Sequence, residues 1–128
     1  MLSTRTLTDL CQGDVALATF LGTCDEVWIP FVVPGEMKAG FYGGTRQTRN
    51  EALLANLLAL ETVGILYAGR ETTEQCAHLF VQLKRAGTPV PDNDLWIAAV
   101  AIEHDLALVT RDRHFDKLPQ LRRPLTQM

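Results

Sequence analysis

The chain has little that could tie it together covalently or anchor it in a bilayer. Its three cysteines, Cys11, Cys24 and Cys76, are odd in number, far apart and without CxxC spacing. That pattern excludes a disulfide framework or a cysteine-rich zinc site as the organising device and suits a reducing cytosol. No stretch approaches the ~18 apolar residues of a membrane span, and the first residues show no basic segment leading into an apolar run. A cytoplasmic protein is expected. Positive charge is also scarce: 12 Lys plus Arg against 15 Asp plus Glu leave a formal charge of −3. Bulk attraction therefore cannot hold a nucleic acid, and any such contact must be local. Arg46 with Arg49, Lys84 with Arg85, Arg111 with Arg113, and Arg122 with Arg123 are short basic groups of the kind that usually forms solvated surface.

Several catalytic signatures are missing. There is no GxSxG elbow, P-loop or GxGxxG, and the glycines between Gly40 and Gly44 lack both the strand-to-helix setting and the lysine of a phosphate loop. His78, His104 and His114 show no HxxxH spacing and no cysteine companions, so packed or surface roles are expected, with His114 the one placed to approach a site. Trp28 and Trp96 neighbour apolar residues and are read as core rather than as stacking platforms.

What is present is enough for one core: 128 residues with 47% apolar content predict a single domain spanning 1–128. Residues 27–29, 65–67 and 106–110 are short β-rich apolar runs, read as buried parallel strands. Between them, residues 50–63, 71–86 and 94–104 carry apolar stripes at helical spacing. Gly64 and Gly87 fall where helix C-caps belong, and Asp92 or Asn93 is available to cap the last helix. Alternation of this kind predicts an α/β fold with a mainly parallel central sheet flanked by helices on both faces, whose ligands gather beyond the carboxyl ends of the strands.

Three acids stand at comparable places in this architecture and are expected to face that edge: Glu36 after the first strand and its exit loop, Asp94 opening a helix, and Asp112 just after the 106–110 strand. Taken singly, each suits a helix dipole, a cap or a turn. Taken together, they offer hard oxygen ligands to Mg²⁺ or Mn²⁺, which keeps several waters and needs few protein carboxylates. Clustering would raise the carboxylate pKa values, a cost that a bound cation relieves.

The motifs around these acids are Val33-Pro-Gly-Glu36, Pro91-Asp-Asn-Asp-Leu-Trp-Ile-Ala-Ala99 and Thr110-Arg-Asp112 followed by His114-Phe115. With them, the chain resembles the VapC-type toxins of the PIN-domain family over essentially its whole length, most strongly from Gly87 to Leu118. The resemblance implies a PIN-like fold and a metal site at Glu36, Asp94 and Asp112. It also implies Mg²⁺- or Mn²⁺-dependent cleavage of RNA, a homodimer, and neutralisation by a VapB-type antitoxin. Thr4, Thr110, Arg111 and Arg113 are the residues expected to touch substrate.

One motif departs from the family. Its members usually run from a hydrophobic strand into Leu-Asp-Thr-Asn or Leu-Asp-Thr-Ser, where this chain reads Leu2-Ser3-Thr4-Arg5. Ser3 thus takes the place of the first metal-site acid, giving up a charge and a strong ligand while keeping a hydroxyl that can still approach Mg²⁺. Asp9 lies inside the following helix and is expected to point elsewhere. The competing reading is a PIN pseudoenzyme that binds antitoxin or RNA without turnover, and a third is a nuclease acting on DNA structures.

Overall fold

In the computed structural model, which describes residues 1–124, strands β1 (Val27–Pro30) and β2 (Val63–Leu66) pair in parallel, with Val27 opposite Val63 and Pro30 opposite Leu66. Two further extended segments widen this layer. The Leu2 N–H donates to the Trp28 carbonyl at 3.0 Å, Leu2 forms a parallel bridge with Val109, and the Val109 N–H donates to the Met1 carbonyl at 2.7 Å. The order across the layer is therefore β2, β1, residues 1–3, residues 107–110. The strand expected at 106–110 contracts to a single bridge because its partner is only three residues long before helix α1 begins at Thr4.

The helices lie close to their expected places, with local differences. Helix α1 (Thr4–Cys11) is capped by Ser3 and α2 (Val15–Gly22) by Asp14, whose carboxylate accepts from the Leu17 N–H at 3.0 Å. Helix α3 (Val32–Tyr42) follows β1 with only Phe31 between them. There is no exit loop, and Glu36 sits one turn inside the helix rather than at its start. Pro34 is tolerated there because a first-turn N–H has no intrahelical partner. Helix α4 (Gln47–Leu58) starts earlier and stops sooner than residues 50–63, since Val63 and Gly64 belong to β2.

Gly64 is accordingly not a helix cap. A Cβ at this position would stand 2.4 Å from the Trp28 ring, so the missing side chain is what lets the indole lie across the strand pair. Gly87 does terminate α5 (Arg70–Ala86), with φ of +69° and the Thr88 N–H returning to the Leu83 carbonyl at 3.0 Å. Helix α6 (Asp92–Glu103) begins two residues before the expected start; Pro91 holds the N-cap position, so neither Asp92 nor Asn93 caps it.

Helix α6 is the central element: Leu95, Ile97, Ala98, Ala99, Val100 and Ala101 are all buried, and it packs chiefly against α5. A 3-10 helix (Arg113–Lys117) follows Asp112 and is pinned by buried Phe115. Burying that ring contributes roughly 2–3 kcal/mol, enough to determine where the turn and its polar residues come to rest. Trp96 meets Phe31 edge to face at 6.2 Å, and among the described residues no helix is long and apolar enough to cross a membrane.

Candidate active site

Four elements converge on one open cavity of about 520 Å³, lined by Ser3, Thr4 and Arg5 of the α1 entrance, Glu36 of α3, Asp92 to Asp94 of α6, and Asp112 and His114 of the last turn. Each acid arrives by a different route. Glu36 is turned inward by α3, and the Thr4 hydroxyl holds it by donating to Oε1 at 2.7 Å. Asp94 occupies the first turn of α6, where the helix dipole favours its charge. Asp112 caps the 3-10 helix, its Oδ1 accepting from the His114 N–H at 3.0 Å. All three sequence-identified acids thus face the same space.

His114 stands between two of them. Its Nδ1 lies 2.7 Å from Asp94 Oδ2 and 3.4 Å from Asp112 Oδ1, and donor atoms of the three side chains fall within 4.8 Å of one another. Burial pushes the Asp94 carboxyl above its ordinary pKa; Asp112 and Glu36 push in the same direction, while the hydrogen bond and charge of His114 oppose them. The site is therefore a concentration of negative charge that the protein itself only partly balances.

The first-acid position looks different. Ser3 is 3% exposed, and its hydroxyl donates to Thr110 Oγ1 at 2.9 Å while accepting from the Thr6 N–H at 3.4 Å. Thr110 is fully buried and its oxygen also accepts the Asp112 N–H at 3.1 Å. Ser3 thus forms the cavity wall and, through Thr110, steadies the backbone that carries Asp112. The expectation that Thr110 touches substrate is corrected: its hydroxyl is sealed inside this network.

Arg111 does not line the cavity either. It turns away from the cavity to meet Asp14 at 2.7 Å and Asp9 at 3.9 Å, in a separate surface depression. Asp9 points elsewhere, as expected. Arg113 is exposed but does not line the cavity, whereas Arg5 does. Thr4 keeps a place in the site, bound to Glu36 rather than open to solvent on its own. Asp92 and Asn93 also line the cavity; sequence reasoning treated them only as caps, and their nearness to Asp94 in one helix turn was the available signal.

The donor set suits a hard divalent cation. Four carboxylates, those of Glu36, Asp92, Asp94 and Asp112, share a solvent-open cavity with room for waters and phosphate oxygens, and Asp94 pays a desolvation cost that a cation would offset. Asp94 and Asp112 would hold such an ion, with Glu36 adding charge and Ser3 lying in the wall behind.

Comparison with known proteins places this geometry. Residues 7–121 match the PIN domain family. The chain is 29% identical over 124 residues to Ribonuclease VapC5 of Mycobacterium tuberculosis, covering 91% of this chain and 92% of that one. It is 28% identical over 98 residues to Ribonuclease VapC1 of Haemophilus influenzae (76% and 72%). Among solved structures, VapBC2 from Rickettsia felis bound to a promoter DNA fragment superposes with a TM-score of 0.88 at 23% identity, covering 96% and 95% of the two chains. VapBC from Salmonella typhimurium, also bound to DNA, gives 0.85 at 23% over 96% and 94%. A match across nearly the whole chain, together with a parallel layer that brings three acids to one edge, makes this chain a member of the PIN-domain family.

Proposed function

We propose that the chain is a VapC-type toxin: a divalent-metal-dependent endoribonuclease that hydrolyses RNA phosphodiester bonds and is neutralised by a VapB-type antitoxin. The observation that carries this reading is the gathering of Glu36, Asp94 and Asp112 around one open cavity of a PIN domain. The curated relatives that bear the name Ribonuclease VapC support it. Mg²⁺ or Mn²⁺ is the cofactor that the oxygen donors suit, and when bound such an ion activates water and neutralises charge on the phosphate.

The chain's own residues have distinct tasks. Asp94 and Asp112 supply ligand oxygens, and Thr4 keeps the Glu36 carboxylate directed into the cavity. Arg5, exposed at the rim, offers a guanidinium to a phosphate of the incoming strand. This one local cation answers the absence of bulk positive charge, and Arg113 on the neighbouring surface is a second, outer candidate. The Ser3–Thr110 network excludes water from behind Asp112 and holds its backbone still.

The test is RNA cleavage by the tag-free chain in Mg²⁺, in Mn²⁺ and in a chelator, beside Asp94→Asn and Ser3→Asp. Cleavage that needs metal and disappears in Asp94→Asn supports the proposal. Cleavage appearing only in Ser3→Asp would replace it with a binding protein that keeps the fold but lacks its first acid. Silence in all three folded proteins would overturn the nuclease reading. Co-purification with the product of an adjacent small reading frame tests the antitoxin, and sedimentation tests the homodimer that belongs to the same reading.

A further inference from the structure

The metal-site reading leaves one side chain unassigned, and its placement bears on which ion the site takes. We propose that His114 Nδ1 is itself a ligand, completing with Asp94 and Asp112 a mixed nitrogen–oxygen site that prefers Mn²⁺ to Mg²⁺. This inference rests on the proposed metal site and concerns its selectivity.

The geometry is the first argument. Two ligands in cis positions at ~2.1 Å from an octahedral ion lie ~3.0 Å apart. Nδ1 is 2.7 Å from Asp94 Oδ2 and 3.4 Å from Asp112 Oδ1, each within a few tenths of an ångström of that spacing. The imidazole nitrogen thus already stands from each carboxylate oxygen at the separation that one ion would impose, and the three donor atoms lie within 4.8 Å of one another.

The position of the ring is built rather than accidental. His114 belongs to the 3-10 helix capped by Asp112, and its own N–H is the one that Asp112 Oδ1 accepts. Phe115, buried beside it, fixes the turn. The imidazole is therefore delivered to the two carboxylates by the same short element that positions Asp112, although the side chain keeps 48% exposure and is not held by packing.

Ser3 provides the chemical reason. At the first-acid position the only side-chain oxygen is a 3% exposed hydroxyl whose proton goes to Thr110. The site is short of one oxygen ligand, and the imidazole lies where a further donor can reach the same ion. Replacing a carboxylate by a neutral imidazole lowers the site's negative charge and softens its donor set. Mg²⁺ holds its oxygen shell tightly and gains little from nitrogen, whereas imidazole suits transition-metal ions, whose affinity rises along the first row from Mn²⁺.

The alternative is that His114 only neutralises the two carboxylates and leaves when an ion enters. Electron spin-echo spectroscopy of Mn²⁺ bound to the tag-free, metal-stripped chain separates the two. Ligation predicts nitrogen modulation of the Mn²⁺ signal that changes on labelling histidine with ¹⁵N and is lost in His114→Ala. Titration calorimetry should then show Mn²⁺ binding weakened about tenfold in His114→Ala with Mg²⁺ binding changed less than threefold.

Mn²⁺ bound without nitrogen modulation would overturn the inference while leaving the metal site standing, as would equal weakening of both ions. Failure of the folded wild-type chain to bind either ion would overturn the metal site itself. The spectrum of the wild-type chain decides ligation even if the variant does not fold.

Discussion

Two acidic clusters lie on either side of the segment around Arg111, and they are balanced in opposite ways. In one, Asp14 pairs with the Arg111 guanidinium at 2.7 Å, with Asp9 nearby. The bond to Arg111 and the Leu17 N–H hold the Asp14 carboxyl below its ordinary pKa. In the other, Asp94 is half-buried, faces Asp112 and Glu36, has only His114 in opposition, and is raised. The first cluster carries its own counter-charge and the second does not. The comparison shows that acidic residues alone do not mark a site: what distinguishes the cavity is negative charge at a place open to solvent whose one ion-pair partner is an imidazole, not a guanidinium.

The comparison is tested most severely by removing one acid from each cluster. Asp94→Asn should lower metal-dependent RNA cleavage by at least ~100-fold, since even residues that merely support metal ligands are worth 10–100-fold in affinity or activity. Asp14→Asn should leave cleavage within about twofold. Equal losses in gel-based cleavage assays would erase the distinction.

A smaller effect is expected from Thr4→Val, which frees Glu36 from its 2.7 Å hydrogen bond. Losing a hydrogen bond to a charged group is worth roughly 1.5 kcal/mol, which is about tenfold in rate. Cleavage kinetics showing no change would mean that Glu36 needs no such support.

Thermal melting of the metal-free protein should reveal the opposed titrations. For Asp94 the folded pKa lies above the unfolded one, so its contribution is complete at low pH and is lost as pH rises through the folded value. At neutral pH its ionised form therefore destabilises the empty site, Asp94→Asn should melt higher than the parent, and added Mn²⁺ should remove that advantage by stabilising only the parent. For Asp14 the folded pKa is lowered, so its contribution is present at neutral pH and is lost as pH falls through the folded value. Asp14→Asn should melt slightly lower at neutral pH, with the gap closing in acid. This is the smallest of the expected effects because the ion pair lies at the surface, where solvent and salt screen it.

Much of the architecture was readable from residue pattern because burial leaves a periodic trace. The stripe of α5, the turn at Gly87 and the apolar runs of β1 and β2 all follow from which faces must leave water, while the apolar run of α6 is buried all round rather than along one stripe. The misreadings have a common cause. Gly64 resembles a cap until Trp28 lies across it, and residues 106–110 resemble a full strand until the partner segment proves too short. In both, the deciding neighbour is distant in the sequence. Thr110 and Arg111 lie away from the cavity for the same reason: one is sealed by Ser3 from the other end of the chain, the other is claimed by Asp14.

By itself, the sequence determined the fold class and the general edge at which the three acids stand, because strand ends and the first turns of helices in an α/β layer carry their polar residues to one edge whatever the details of packing. Only the tertiary structure decided what stands beside those acids. The closure of Met1 to Ser3 against Val109 brings Ser3 to Thr110, and burial of Phe115 swings His114 between Asp94 and Asp112. Hydrogen bonds and ion pairs act over about 3 Å, and residues 20 or 107 positions apart reach that distance only after the core has closed.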